Sequence, residues 1–185
     1  MTEKEEYAVI LDFLPYGYPM AGKMVPVAQA IGEKNLVLLE LAPRRGVALQ
    51  PKEKVYIGQE KRDKIYYIVG RLSKEKMTET AKAQLTEYIE KFVSEQEKKF
   101  VDFFNNAQAI NTRLHQLELL PGFGKKHTQE IMDSREEKLF ESFEEIKQRV
   151  KNIPDPKKAI EKRILEELSE RQRFFGKVTM SQLLP

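Results

Sequence analysis

The chain has 185 residues, 41% of them hydrophobic and 33% charged, with a net charge of +3 and no cysteine. That length holds one large domain or two small ones, and the balance of apolar and charged residues describes a globular chain rather than a disordered one. The lack of cysteine excludes disulfides and thiolate metal sites, and an intracellular, cytoplasmic protein is expected.

The opening stretch, MTEKEEYAVILDFL, is acidic, and its apolar run is too short for a signal peptide. No apolar run approaches the length of a membrane span, so no membrane partner is expected. Bases (32) and acids (29) nearly cancel and are interleaved, so their placement rather than their number must decide any electrostatic footprint.

Up to residue 76 the pattern is that of strands. Residues 7–14 are β-branched and aromatic and run into the breakers Pro15, Gly17 and Pro19. Further strands are expected at 25–31, 36–41, 55–58 and 64–72, with turn-forming residues at 32–35, 43–46 and 59–63. Short strands joined by turns predict a small closed barrel or a sandwich. The run LVLLEL does not alternate, which leaves the facing of that strand open.

From Thr78 the period becomes helical. Leu85, Tyr88, Ile89, Phe92 and Val93 form one stripe, and Phe100, Phe103 and Phe104 extend it. Neither Gly nor Pro interrupts the run to residue 105, so a single long amphipathic helix with an acidic outer face is expected, its aromatic stripe serving as core. Further helices are expected at 110–119, 125–134, 142–150 and 157–174, and Ser142 with Glu145 fits a capping box. The tail GKVTMSQLLP has no assignment. The expected division is therefore 1–76, a connecting helix at 77–105, and a helical domain at 106–185.

The chemistry concentrates in LELLPGFGKKHTQEIM. Pro121 is poorly tolerated inside a helix and drives the residue before it out of helical geometry. Gly122 and Gly124 permit positive φ and carry no Cβ to block an approaching backbone. Phe123 between them is expected to turn inward. The next residues open a helix, whose first amides lack intrahelical partners and carry the positive end of its dipole. That is an anion site built from backbone, and Lys125 and Lys126 add charge beside it.

Leu117, Leu120, Pro121, Gly122, Phe123, Gly124 and Ile131 together resemble the helix-hairpin-helix motif. The segment through Arg135 and Glu136 to Ile146 is similar to the continuation of that motif in bacterial DNA-uptake proteins. The resemblance implies that hairpin amides hold a sugar-phosphate backbone without reading sequence. Thr128 departs from the pattern, which usually has a small Ala at the helix crossing. Val150, Ile153, Pro154 and Ile164 repeat the spacing of Leu117, Leu120, Pro121 and Ile131, but the second turn reads Pro-Asp-Pro-Lys-Lys. That second unit is expected to be mainly structural because Asp155 repels phosphate, with Lys157 and Lys158 as a candidate second contact. More broadly, the texture of 51–58 and 65–70 together with the hairpin resembles an uncharacterised archaeal family of predicted nucleic-acid-binding proteins. Such proteins join an OB-like barrel to a helix-hairpin-helix region, and the resemblance implies a barrel groove for single strands.

Other readings of the same residues compete. Tyr16, Tyr18, Tyr56, Tyr66 and Tyr67 fit barrel packing better than base stacking, and Arg44 and Arg45 fit solvated turn charges better than phosphate contacts. With two histidines, His115 and His127, and no cysteine, no metal site is expected. No nucleophile motif, no P-loop and no catalytic carboxylate pair stands out, so no cofactor and no catalytic residue are assigned.

The expected fold class is α+β: an N-terminal OB-like β-barrel, a long connecting helix, and a C-terminal all-α paired helix-hairpin-helix unit. The expected function is non-catalytic binding of an RNA or DNA backbone through Gly122, Phe123, Gly124, Lys125 and Lys126, with RNA ahead through the family resemblance. The alternative is a protein-interaction adaptor in a translation or DNA-repair assembly, in which the hairpin unit and the long helix dock a protein partner. The oligomeric state is left open.

Overall fold

The structure, a computed structural model, describes residues 4–170. The chain divides into two compact units, Met1–Tyr88 and Ile89–Pro185.

The first unit is a curled antiparallel sheet of β1 (Tyr7–Leu14), β2 (Val27–Gly32), β3 (Leu38–Pro43), β4 (Lys54–Tyr56) and β5 (Ile65–Arg71), in the order β4-β1-β2-β3-β5. Every ladder is antiparallel, so the two edge strands, β4 and β5, run in the same direction. The Lys64 ammonium meets the Glu53 carboxylate, which brings the residue before β5 to the residue before β4 and shows the sheet curling edge toward edge. Among the described residues no ladder joins those edges, so the expected closed barrel is a half-barrel. Two strands pointing the same way need a crossover of about a dozen residues to pair. The link 57–64 is shorter than that.

Alternate residues of the central strands, Ala8, Ile10, Ala28, Ala30, Leu39 and Leu41, join Val55, Ile57 and Ile65 in one interior cluster. The opposite face is covered as well, since β2 is buried throughout and β3 is buried at all but its last position. A strand covered on both faces has no reason to alternate, which explains LVLLEL. The second face holds a polar knot. Gln29 Nε2 donates to the Lys76 carbonyl at 2.7 Å and to the Tyr18 hydroxyl at 3.2 Å, while its Oε1 accepts from the Thr78 amide at 3.0 Å. Thr78 Oγ1 donates to Asp12 Oδ2 at 2.6 Å and accepts from the Ala81 amide at 3.0 Å. Gln29 is thus satisfied although fully buried, and the start of α1 (Glu79–Glu95) is fixed to the sheet.

The second unit contains the end of α1, α2 (Glu97–Asn106), α3 (Lys125–Glu137), α4 (Phe143–Arg149) and α5 (Pro156–Glu170). The expected unbroken helix over 78–105 is two helices, because Gln96 leaves helical geometry at φ −111° and ψ 31°. The rings of Phe92 and Phe100 lie 6.1 Å apart. An unbroken helix would separate those positions by about 12 Å along its axis, so the break lets both rings meet.

The helix expected at 110–119 is also corrected. Asn111 Oδ1 accepts from the amides of Arg113 (2.8 Å) and Leu114 (3.0 Å), folding the chain into a turn, and only a short 3-10 turn at Gln116–Leu119 follows. A short side chain that competes with the backbone for its own amides defeats helix here. Ser142 caps α4 as expected, accepting from the Glu145 amide at 3.1 Å, but the Glu145 carboxylate reaches one residue further, to the Glu141 amide at 2.8 Å. The unassigned tail and the expected helical residues 171–174 lie outside the described residues.

Candidate nucleic-acid interface

The hairpin is held from beneath. Leu117, Leu120 and Ile131, the apolar frame of the motif, are all fully buried. Phe123 turns inward, its ring 6.2 Å from that of Phe104 and 5.9 Å from that of His127. The turn closes through the Phe123 amide donating to the Leu120 carbonyl at 3.1 Å. Gly122 has φ +83°, a region in which a side chain is strained, and a Cβ there would stand 3.1 Å from Cγ of Pro154. Gly124 is the N-cap of α3, and a Cβ there would meet nothing within 4 Å. One glycine is thus required by backbone geometry and contact, while the other leaves open space in front of the helix start.

The amides at this corner divide into two groups. Phe123 N–H is used by the turn, and Gly124 N–H donates to His127 Nδ1 at 3.1 Å. The amides of Gly122, Lys125 and Lys126 find no acceptor among the described residues. Lys125 and Lys126 are exposed and form no ion pair among the described residues. Thr128, where the motif usually has alanine, is accommodated: its Oγ1 donates to the Gly124 carbonyl at 3.0 Å, so the buried hydroxyl is satisfied. The sequence did not point to His127 as the acceptor of the Gly124 amide. Its signal was position, the third residue of the helix, from which a side chain reaches back to the cap.

The second turn is built differently. Asp155 Oδ1 accepts from the Lys158 amide at 3.1 Å, and its carbonyl accepts from the Ala159 amide at 2.9 Å, so its carboxylate occupies the start of α5. Pro156 opens the helix in the position where its missing N–H costs nothing. Lys157 Nζ lies 3.5 Å from Glu161, and Lys158 is exposed. Pro154 lies against Gly122, so the two turns touch within this unit, whereas Lys157 is committed to its own helix.

Other polar groups serve as struts. Asn105 exchanges two hydrogen bonds of 2.8 Å with the backbone of Phe140. Arg135 Nη1 donates to the Phe104 carbonyl at 3.0 Å, and burial holds its guanidinium below the ordinary arginine value. Arg163 Nη1 donates to the Leu119 carbonyl at 3.2 Å, tying α5 to the chain just before the hairpin. His115, 8% exposed, accepts from the Leu117 amide at Nδ1 (3.1 Å) and leaves Nε2 without a partner among the described residues. Burial, aided by the charge of Arg135 and opposed by that of Glu118, holds its imidazole below the ordinary 6.5.

Among the described residues no group of three or more His, Asp or Glu is placed to hold a metal ion, and no helix is long and apolar enough to cross a membrane.

Comparisons with known proteins agree with one another. The crystal structure of Af1531 from Archaeoglobus fulgidus superposes with a TM-score of 0.81 at 44% identity, covering 96% of this chain and 99% of that one. Uncharacterized protein MJ0038 of Methanocaldococcus jannaschii is 43% identical over 166 residues, which is 90% of this chain and 75% of the relative. The family described as "Protein of unknown function (DUF655)" matches residues 4–178. With both relatives archaeal and nearly the whole sequence matched, this chain, a half-barrel sheet followed by helices, belongs to the DUF655 family.

Proposed function

We propose that the chain is a non-catalytic nucleic-acid-binding protein that holds the phosphate backbone, of RNA in preference to DNA, at the Leu120–Lys126 hairpin. The half-barrel stands in place of the OB-like barrel and the hairpin in place of the first helix-hairpin-helix unit. The observation that carries this reading is the bare start of α3. Amides of Gly122, Lys125 and Lys126 without acceptors among the described residues, open space at Gly124 and two exposed lysines without an ion pair there belong to one short turn and helix start, and together they support a phosphate contact. Fixed amides with adjoining cations suit a phosphate diester and carry no information about base or sequence. The preference for RNA rests on family resemblance alone, because phosphate does not report the sugar. Lys158 belongs to the interface as an outer contact, while Lys157 is the weaker member because Glu161 already holds it.

The test is a titration of Lys125→Glu/Lys126→Glu against unrelated RNA and DNA sequences over a range of salt. Equal weakening across sequences, with a shallower salt dependence, is expected. Unchanged binding at every salt concentration would remove the hairpin from the interface.

The near-balance of 32 bases against 29 acids favours a second reading, an adaptor that docks a protein partner. It predicts nucleic-acid binding that is weak and insensitive to salt, together with a protein retained through the same lysines.

A further inference from the structure

The edge strand β5 is irregular in an informative way. Its pairing with β3 runs Leu39↔Arg71, Glu40↔Gly70, Leu41↔Ile68, Ala42↔Tyr67 and Pro43↔Ile65. The register therefore skips Val69 and Tyr66. Each is the extra residue of a bulge, and each is exposed, Tyr66 at 65%. Bulges at a sheet edge re-aim side chains that regular pairing would hold in the pleat. Here the result is a tyrosine ring at the exposed edge of the sheet rather than in its core.

Tyr66 lines an open cleft of about 530 Å³ together with Pro26, Pro43, Arg44, Arg45 and Val47. Among the described residues its wall contains two cations and no carboxylate. The arginine turn is fixed at both ends: the Arg44 amide donates to the Lys64 carbonyl at 2.8 Å, and the Val47 amide donates to the Arg44 carbonyl at 3.1 Å. Arg44 Nε donates to the Arg62 carbonyl at 2.7 Å, which leaves its terminal nitrogens, while Arg45 makes no hydrogen bond or ion pair among the described residues. The Tyr66 and Tyr67 rings form a T-shaped pair, with centroids 5.4 Å apart.

We infer that this cleft holds an unpaired nucleotide of a single-stranded nucleic acid, its base stacked on Tyr66 and its flanking phosphates on Arg44 and Arg45. An exposed aromatic face beside guanidinium groups, with no acid in the wall, matches a base joined to phosphate. A continuous duplex cannot offer a base face to a side chain. The wide mouth of the cleft suits a strand passing through. This inference rests on the nucleic-acid reading but not on the hairpin, since every residue it uses lies in the first unit.

The test uses the full chain with fluorescein-labelled oligouridylate, an RNA duplex of equal length and uridine monophosphate. Tyr66→Ala should weaken oligouridylate binding roughly tenfold and leave the duplex unchanged, and Tyr66→Phe should restore affinity. Arg45→Ala should make the single-strand salt slope shallower by about 0.7. Because Tyr66 is exposed, its replacement opens no cavity, and circular dichroism confirms the fold. If Tyr66→Ala binds oligouridylate as wild type does, weakens strand and duplex equally, or alters only capture of a protein, the inference is overturned. Equal affinity for the mononucleotide and the oligomer also overturns it in favour of a free-nucleotide pocket. Failure of the hairpin reading shows separately, as Lys125→Glu/Lys126→Glu leaving duplex binding intact while Tyr66→Ala still weakens the single strand.

Discussion

The helices α3 and α5 are preceded by turns of one apolar spacing, yet the groups at their starts are opposite. By the offset that relates Val150 to Leu117, Asp155 stands where Gly122 does and Lys158 where Lys125 does. Among the described residues the first helix begins with bare amides and unpaired lysines, while the second begins with a carboxylate seated on its own third amide. Both arrangements answer the same requirement, that the first amides of a helix find acceptors. The second answers it from within the chain, and the first leaves it to solvent or to a ligand. A repeated apolar frame therefore establishes a repeated scaffold, and the residues at the helix start decide whether a scaffold is also a site.

Substitutions can break or sharpen that contrast. The largest effect is expected from Lys125→Glu/Lys126→Glu, with affinity for nucleic acid falling on the order of a hundredfold and the salt slope becoming shallower by about two, read by fluorescence anisotropy. Next is Gly122→Ala, which forces a side chain into φ +83° and toward Pro154; denaturant titration should show a loss of about 1–3 kcal/mol. Gly124→Ala separates structure from binding. A methyl there meets nothing within 4 Å among the described residues, so stability should change by less than about 1 kcal/mol, while a methyl in front of the open amides should lower affinity several-fold. If both glycine variants behaved alike, the distinction between a structural and an approach glycine would be lost. Asp155→Asn keeps a good helix cap and removes the charge. Binding should strengthen a few-fold and the salt slope steepen by up to about one, whereas no change would leave Lys158 outside the interface.

The smallest effect concerns acid. The folded state holds His115 below 6.5, while the unfolded chain takes up the proton near that value. The unfolded state therefore binds more protons as pH falls, so the contribution of neutral His115 is complete above about 6.5 and is lost as pH drops toward the folded value. Thermal unfolding midpoints should decline over that interval, and His115→Asn, which keeps a capping acceptor without titrating, should flatten the decline.

Much of this organisation was legible in the sequence. The strand at Tyr7–Leu14 is bounded by its own β-branched content and by Pro15, and the start of α3 is fixed by Pro121, Gly122 and Gly124. What escaped depended on partners remote in sequence or on one side chain's choice of hydrogen bond. Gln96 breaks a helix without glycine or proline, so nothing local announced it. Ile110, Leu114 and Leu117 have helical spacing, but Asn111 takes the amides that a helix would have needed. The open edge between β4 and β5 follows from strand direction, which residue pattern does not encode. The exposure of Tyr66 follows from a bulge, and composition says nothing about which residue a register skips.

The contact between Pro154 and Gly122 gives the second turn a task that needs no ligand. The proline ring fills the space that a side chain at Gly122 would enter, so it adds a steric demand for glycine there to the one already made by φ +83°. A turn that closes its own helix start thus also bears on the residue allowed in the other. Trimming the ring in Pro154→Ala would relieve the steric part of that demand and leave the backbone part, so Gly122→Ala should cost less in that background.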